Sequence, residues 1–371
     1  MLPRFNAQHN SKTKQMKKHL LVALCLLTLV GTSCTKQEQA KKVDGRYVPE
    51  RKDDFAWENE YAAFRFYGPA LLPENPSNGV DLWLKNSPAL VIDTMYGREL
   101  KDGRPYHINY DGNLDCYKVA HTAGCGGVVI ATDSNLWIAG PYSEYEILEQ
   151  TPDKFVFRLT YDSVPVAGKI FAEQLTVTAE AGKILNKAEV VIMPKRHCCK
   201  HHQEMAEGEQ KPCCKHHQEM AEGEQKPCCK HHQEMAEGEQ KPCCGKQCGH
   251  CHKHSDMLRL WVGGGIFLHD TIENYRIDEV RGLVAYAEDA LSDKQAAKMN
   301  YEYNGSTSQG RSYIAVMTPG ATRIEILDGT FVSLKEYQLG DTLTYYFGGC
   351  WSKWSNGEQS FPTDLDWFEA L

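Results

Sequence analysis

Short runs of alternating residues, each stopped by glycine, proline, aspartate or asparagine, recur along most of this chain. In KFVFRLTYD, Phe155, Phe157 and Leu159 fall on one face, and Val156, Arg158 and Thr160 on the other. A period of two is the signature of an extended strand with one face buried. AAFRFYG, AEQLTVTAEAG, KAEVVIMP, SYIAVMTP, TRIEILDG and TLTYYFGG repeat the pattern. Helical periodicity is confined to DALSDKQAAKM and the C-terminal TDLDWFEAL. Many short strands with turn residues between them predict an all-β fold, a large antiparallel β-sandwich.

One segment breaks the pattern. A 15-residue unit, CCKHHQEMAEGEQKP, begins at Cys198, Cys213 and Cys228, and CCGKQCGHCHKH follows the third copy. KILNKAEVVIMP leads into this tract as a strand and DMLRLWVGGGIFLHD leads out as one. Residues 195–256 therefore read as a surface insertion in a single β-domain spanning 46–371, since a long buried connection would strand backbone polar groups. Each unit has Lys-Pro before Cys-Cys, good helix formers, and a glycine to stop it, so it suits a helix of two to three turns. On such a helix Cys213 shares a face with His216, and Cys214 with His217. Thiolate beside imidazole suits Zn or Cu. The candidate ligands are Cys198, Cys199, His201, His202, Cys213, Cys214, His216, His217, Cys228, Cys229, His231, His232, Cys243, Cys244, Cys248 and Cys251. With little apolar matter in each unit, the tract is expected to be disordered until metal orders it. Tandem expansion in a permissive loop explains the same repetition, and no metal or other cofactor is required by the rest of the chain.

The N-terminus reads as an export signal. From Met16 the sequence is MKKHLLVALCLLTLVGTSC: a basic head, an apolar stretch, and small residues before Cys34. This arrangement resembles a bacterial lipobox, which implies cleavage before Cys34 and lipid attachment to its thiol. Residues 1–33 are then the signal peptide, with Met16 the expected true start, and 34–45 a polar tether. The expected location is the cell envelope, on the outer membrane through a lipid anchor. A formal net charge of -8, with no basic stripe, argues against nucleic acid as a partner. Ten of the 15 cysteines lie between Cys198 and Cys251 and two, Cys25 and Cys34, in the signal. The remaining three cannot make a disulfide framework for the fold.

The richest chemistry lies in RPYHINYDGNLDCYKVAHTAGCGGVVI, which gathers His107, Asp115, Tyr117 and Lys118. Carboxylate, imidazole, phenol and ammonium in one loop suit polar-ligand binding or acid–base work on a sugar ring. Aspartates capping turns and aromatics packing inward explain the same composition. GIFLHD and VAYAEDA end strands with His269 and Glu288, where a sandwich presents polar groups to a cleft. Trp351, in FGGCWSKW, can stack on a sugar or seal the end of a core.

Taken together, ERKDDFAWENEYAAFRFYGPAL, LDCYKV with GCGG, GIFLHD, and YYFGGCWSKW with FPTDLDWF resemble a bacterial family catalogued as domain of unknown function 4861. The likeness extends over almost all of 46–371 apart from the repeats. It implies a galactose-mutarotase-like supersandwich with a carbohydrate-facing groove, in proteins often exported and encoded beside polysaccharide-degrading enzymes. By that analogy His107, His269 and Glu288 are the expected acid–base groups, and Asp115, Tyr117 and Lys118 orient the ligand. Arg65 is a candidate partner for a uronate carboxylate, or one half of a strand-surface ion pair. The expected function is hydrolysis, β-elimination or epimerisation of a uronic-acid-containing oligosaccharide. The alternatives are glycan binding without catalysis, and metal sequestration by the repeats.

Overall fold

Strand pairing follows the alternation read from the sequence. The computed structural model describes residues 40–74, 77–133, 135–195, 258–269, 274–291 and 308–371. The expected export signal, Cys34, the tandem Cys/His units and most of DALSDKQAAKM lie outside these described residues.

Residues Lys41–Leu371 form one compact unit. Its first half holds β1 (Asp44–Val48), β2 (Asp54–Glu58), β3 (Ala62–Phe66), β4 (Asn78–Lys85), helix α1 (Ile92–Asp102), β5 (Asn113–Asp115), β6 (His121–Ala131) and β7 (Leu136–Trp137). Four long strands follow: β8 (Glu144–Thr151), β9 (Lys154–Val166), β10 (Lys169–Glu180) and β11 (Leu185–Pro194). Beyond the insertion come β12 (Leu260–Phe267), β13 (Asn274–Asp278), β14 (Leu283–Asp289), β15 (Arg311–Met317) and β16 (Arg323–Leu327). Last are β17 (Thr330–Tyr337), β18 (Thr342–Trp351) and helix α2 (Asp364–Ala370). A ten-stranded sheet runs β1-β2-β3-β4-β6-β12-β17-β16, with β5 on β4 and β7 on β6; an eight-stranded sheet runs β13-β14-β15-β18-β11-β10-β9-β8. Pairing is antiparallel except between β4 and β6, which run parallel.

The inner faces interlock as the sequence predicts. Phe155, Phe157 and Leu159 are fully buried, while Val156, Arg158 and Thr160 are half-buried on the opposite face. Across the gap Phe55 meets Phe157 at 4.4 Å between ring centroids, and the Trp57 indole donates to Asn186 Oδ1 at 3.2 Å. Leu260 and Val262 after the insertion share one core with Val190 and Ile192 before it. The insertion thus connects β11 of one sheet to β12 of the other.

A second, smaller core forms on the outer face of the ten-stranded sheet. There α1 packs Ile92, Met95 and Tyr96 over Val48, Ala56, Ala63 and Trp83. Sequence periodicity did not predict α1, and its start shows why. Val91 offers no side-chain cap; the Glu58 carboxylate accepts from the Val91 and Ile92 N–H groups at 2.9 and 3.0 Å instead. Glu58 also pairs with the buried Lys85 ammonium at 2.9 Å. A carboxylate at a helix N-terminus satisfies orphan N–H groups and meets the positive end of the helix dipole. Gly103, at φ 64, closes the helix in the left-handed conformation. The C-terminal helix appears where the sequence placed it. Thr363 and Asp366 form a reciprocal capping box, and Trp367 stacks on Tyr313 at 5.6 Å.

Since strands on both sides of the insertion share one core, replacing residues 196–254 with a flexible linker of about ten residues should leave the β-sheet circular dichroism intact. The thermal midpoint should move by no more than about 3 °C. Loss of the cooperative transition would show that the tract is needed for folding.

Candidate functional site

Four residues, Asp115 to Lys118, leave β5 and run along one mouth of the sandwich toward β6. Trp83 of β4 pairs with Asp115 and fixes the start of this segment. The buried Tyr117 hydroxyl donates to the Phe267 carbonyl at 2.6 Å, tying the segment to the end of β12. Two histidines from distant parts of the chain rest on its backbone. His107 Nδ1 lies 3.0 Å from the Asp115 carbonyl and 3.6 Å from the Asp115 carboxylate. His269 Nε2 lies 2.6 Å from the Lys118 carbonyl. Three residues of extended chain span at most about 10 Å, which bounds the separation of the two carbonyls on which the imidazoles rest.

The two histidines are held differently. With Nδ1 donating to the Asp115 carbonyl, His107 carries its lone pair on Nε2, and its side chain is 49% exposed. His269 Nδ1 meets both Glu288 oxygens, at 2.9 and 3.0 Å, while Nε2 meets the Lys118 carbonyl. Two acceptors facing one ring are satisfied together when both nitrogens carry protons, so this geometry suits the imidazolium, with both N–H groups given to protein acceptors. Tyr117 and Phe267 pack edge-on against His269 at 4.7 and 5.2 Å and fix its plane.

Between the pairs sits Cys116. Burial, then the charges of Asp115 and Glu288, push its thiol well above the usual range, so it is no ready nucleophile. Ser312 stands opposite Glu288 in the β14–β15 ladder, and its buried hydroxyl faces the Cys116 thiol, whose pKa it lowers against the larger effect of burial. A serine opening the strand SYIAVMTP carries no sequence signal for such a place.

Beneath the mouth lies a charged layer. Arg65 is 2% exposed, and its guanidinium reaches Asp81 at 2.5 Å, Asp115 at 3.2 Å and Asp54 at 3.5 Å. It also donates to the Tyr106 hydroxyl at 3.1 Å, and the Tyr67 ring lies 4.7 Å away. Burial, then the Asp81 charge, push the Asp115 carboxyl up to about 7, against the lowering pull of His107 and Arg65.

The structure therefore brings together His107, Asp115, Tyr117, Lys118, His269 and Glu288, drawn from three separate stretches. Two expectations are corrected. Arg65 is enclosed among three carboxylates and offers no guanidinium face to a uronate. Trp351 is fully buried, its indole donating to the Gln309 carbonyl at 2.6 Å, so it seals the core and presents no ring to a sugar. Lys118 remains exposed beside His269. Asp54 and Asp81 were missed as partners of Arg65; Asp81 had a signal, a lone aspartate inside the apolar strand sequence GVDLWLK, and Asp54, in RKDDFAW, had none. Among the described residues no group of three His, Cys, Asp or Glu side chains is placed to hold a metal ion.

A two-sheet β-sandwich with two histidines, each beside a carboxylate residue, at one mouth is the class that fold and site define. The chain belongs to the family described as domain of unknown function DUF4861, whose family-wide pattern matches residues 3–211. β12–β18, with His269 and Glu288, lie beyond that match. An uncharacterized protein P7 of Formosa agariphila is 31% identical over 177 residues, 42% of this chain and 45% of that protein. The match thus spans less than half of the relative's length. No solved structure matches.

The Asp115 carboxyl ordinarily titrates near 3.8 and holds its proton to about 7 in the fold. Between those values the folded state binds more protons than the unfolded chain, so stability falls as pH rises. Asp115→Asn should flatten the fall in urea midpoint between pH 4 and 7. An unchanged slope would place the proton elsewhere.

Proposed function

We propose that this protein performs acid–base chemistry on a carbohydrate at this end of the sandwich, with His107 as base and His269, backed by Glu288, as acid, its Nε2–H passing from the Lys118 carbonyl to the substrate. The observation that carries the reading is the seating of both imidazoles on the carbonyls of Asp115 and Lys118. A base and an acid held on one short segment are the parts that hydrolysis, β-elimination or epimerisation needs. The exposed Lys118 ammonium suits an acidic ring, which points to uronic-acid-containing oligosaccharides. The family resemblance, with its carbohydrate-facing groove, points the same way.

A second reading, glycan binding without turnover, has its own observation. The outer face of the eight-stranded sheet carries Thr178, Lys187 and Tyr346 in one row across β10, β11 and β18. Arg158, Thr176, Glu189 and Thr344 form the next row. All are half-buried, and Lys187, Lys335, Thr344 and Tyr346 line a groove of ≈ 500 Å³. Such a polar groove suits hydroxyl-rich ligands.

Incubation with a panel of uronic-acid oligosaccharides separates the two. Catalysis predicts product from the wild type and a loss of about 100-fold or more in His107→Ala and in His269→Ala. Binding without product, weakened by Lys187→Ala or Tyr346→Ala, selects the second reading. Neither binding nor product removes both.

Export and lipid anchoring at Cys34 form part of the same proposal, supported by the signal-like sequence from Met16. Metabolic labelling with a fatty acid should tag the wild-type protein in its bacterial host and spare Cys34→Ala. Equal labelling of both would refute the anchor.

A further inference from the structure

Two edge strands lie together on one side of the sandwich, β13 of the eight-stranded sheet and β16 of the ten-stranded sheet. The Tyr275 ring of β13 meets Phe331 of β17 at 5.6 Å, and Phe331 stands opposite Ile326 of β16. Among the described residues no strand pairs with the free edge of β13 or of β16. Their apolar side chains are left uncovered: Tyr275 is 50% exposed, Ile277 39% and Ile326 49%.

The two edges are level with one another. Tyr275 lies over the Phe331–Ile326 rung. Gly282, next to the Asp278–Leu283 rung, accepts from the Ser333 hydroxyl at 2.7 Å, and Ser333 stands opposite Ile324. β13 and β16 therefore run in opposite directions, and Ile277 stands at the level of Ile324.

Each of these isoleucines sits between charges of opposite sign, Arg276-Ile277-Asp278 in β13 and Arg323-Ile324-Glu325 in β16. A strand paired antiparallel with its own copy about a central residue sets the residue before the centre opposite the residue after it. About Ile277 this pairing sets Arg276 against Asp278 twice; about Ile324 it sets Arg323 against Glu325 twice. Opposite charges across a ladder favour pairing, and like charges oppose it. Arg323 and Glu325 already lie 2.6 Å apart within one copy, so two such pairs would stand side by side with alternating sign. One two-fold axis, normal to the sheets and passing through both isoleucines, makes both pairings at once. It turns each strand end for end and keeps each sheet in its layer.

The opposite side of the sandwich resists such growth. β8 carries Glu144, Glu146 and Glu149 and a register shift between Ile147 and Glu149, and a charged, bulged edge does not accept a copy of itself. β13 and β16 keep regular register with their neighbours throughout. We propose that the β13–β16 side is a homodimer interface, where a second copy of this chain continues both sheets about an axis through Ile277 and Ile324. Two five-residue strands a side make a small interface, so the dimer should dissociate on dilution. The axis sends the two Asp115–Lys118 segments to opposite ends of the joined sandwich, so neither faces the other.

Sedimentation velocity of the full chain over a dilution series tests the interface, with a thiol reductant and EDTA present so that the Cys/His units cannot link copies. The wild type should pass from dimer to monomer on dilution. Ile277→Lys, which sets two ammonium groups on the axis, and Glu325→Arg, which sets arginine against arginine twice, should each weaken the dimer by about 100-fold or more. Arg323→Glu combined with Glu325→Arg restores the alternation and should bring the dimer back. A wild type that stays monomeric at the highest concentration would overturn the interface. So would a dimer that neither single substitution weakens, or a loss that the folded double exchange does not reverse. Circular dichroism shows whether each variant is folded. If the double exchange is not, Ile277→Lys decides: a weakened dimer supports the interface, and an unchanged one refutes it.

Discussion

The buried Arg65 guanidinium organises the half of the molecule from which the site is built. Its partners come from three strands: Asp54 of β2, Asp81 of β4 and Asp115 of β5. A charge taken out of water persists only where partners answer it, and removing one partner of a buried pair is far more damaging than removing a surface pair. Three carboxylates around one guanidinium also exceed what it can neutralise. The excess falls on Asp115, whose carboxyl holds its proton toward neutral pH. The same residue supports His107 through its carbonyl. The layer that fixes strand positions therefore also sets the charge under the mouth.

Helix α1 makes that layer possible. Asp54, Glu58, Arg65, Asp81 and Lys85 are all buried, although they lie on the outer face of the ten-stranded sheet. Without the helix and the loop that follows it, these groups would be solvated, and their pairing would contribute little. Glu58 belongs both to this layer and to the helix cap, so the cover and the charges beneath it stabilise each other.

The sandwich was legible because the alternation in β9, β10 and β15 reports directly which side chains turn inward. The misreading of Arg65 and the missed helix share one cause. In AAFRF the period of two places Arg65 opposite Phe64 and Phe66, so it reads as a surface residue. That reading assumes a bare outer face, and α1 covers it. The helix itself was hidden because its cap lies 34 residues upstream, at Glu58. Short-range pattern cannot report a contact of that separation. His107, His269 and Glu288 were recognisable as strand-end and loop chemistry. Their meeting along Asp115–Lys118 is a product of sheet order, with β12 placed beside β6, and no local sequence feature encodes it.

The insertion joins Pro194 to Leu260, strands in opposite sheets whose positions the common core already fixes. The entropy of closing such a connection grows only with the logarithm of its length. Losing one 15-residue copy from the 65 residues between these strands (259 − 194) changes that cost by about 0.2 kcal/mol. Slipped-strand replication could then add or drop whole copies with almost no penalty to folding. On loop-closure cost alone, the scaffold sets no preference for three copies over two or four.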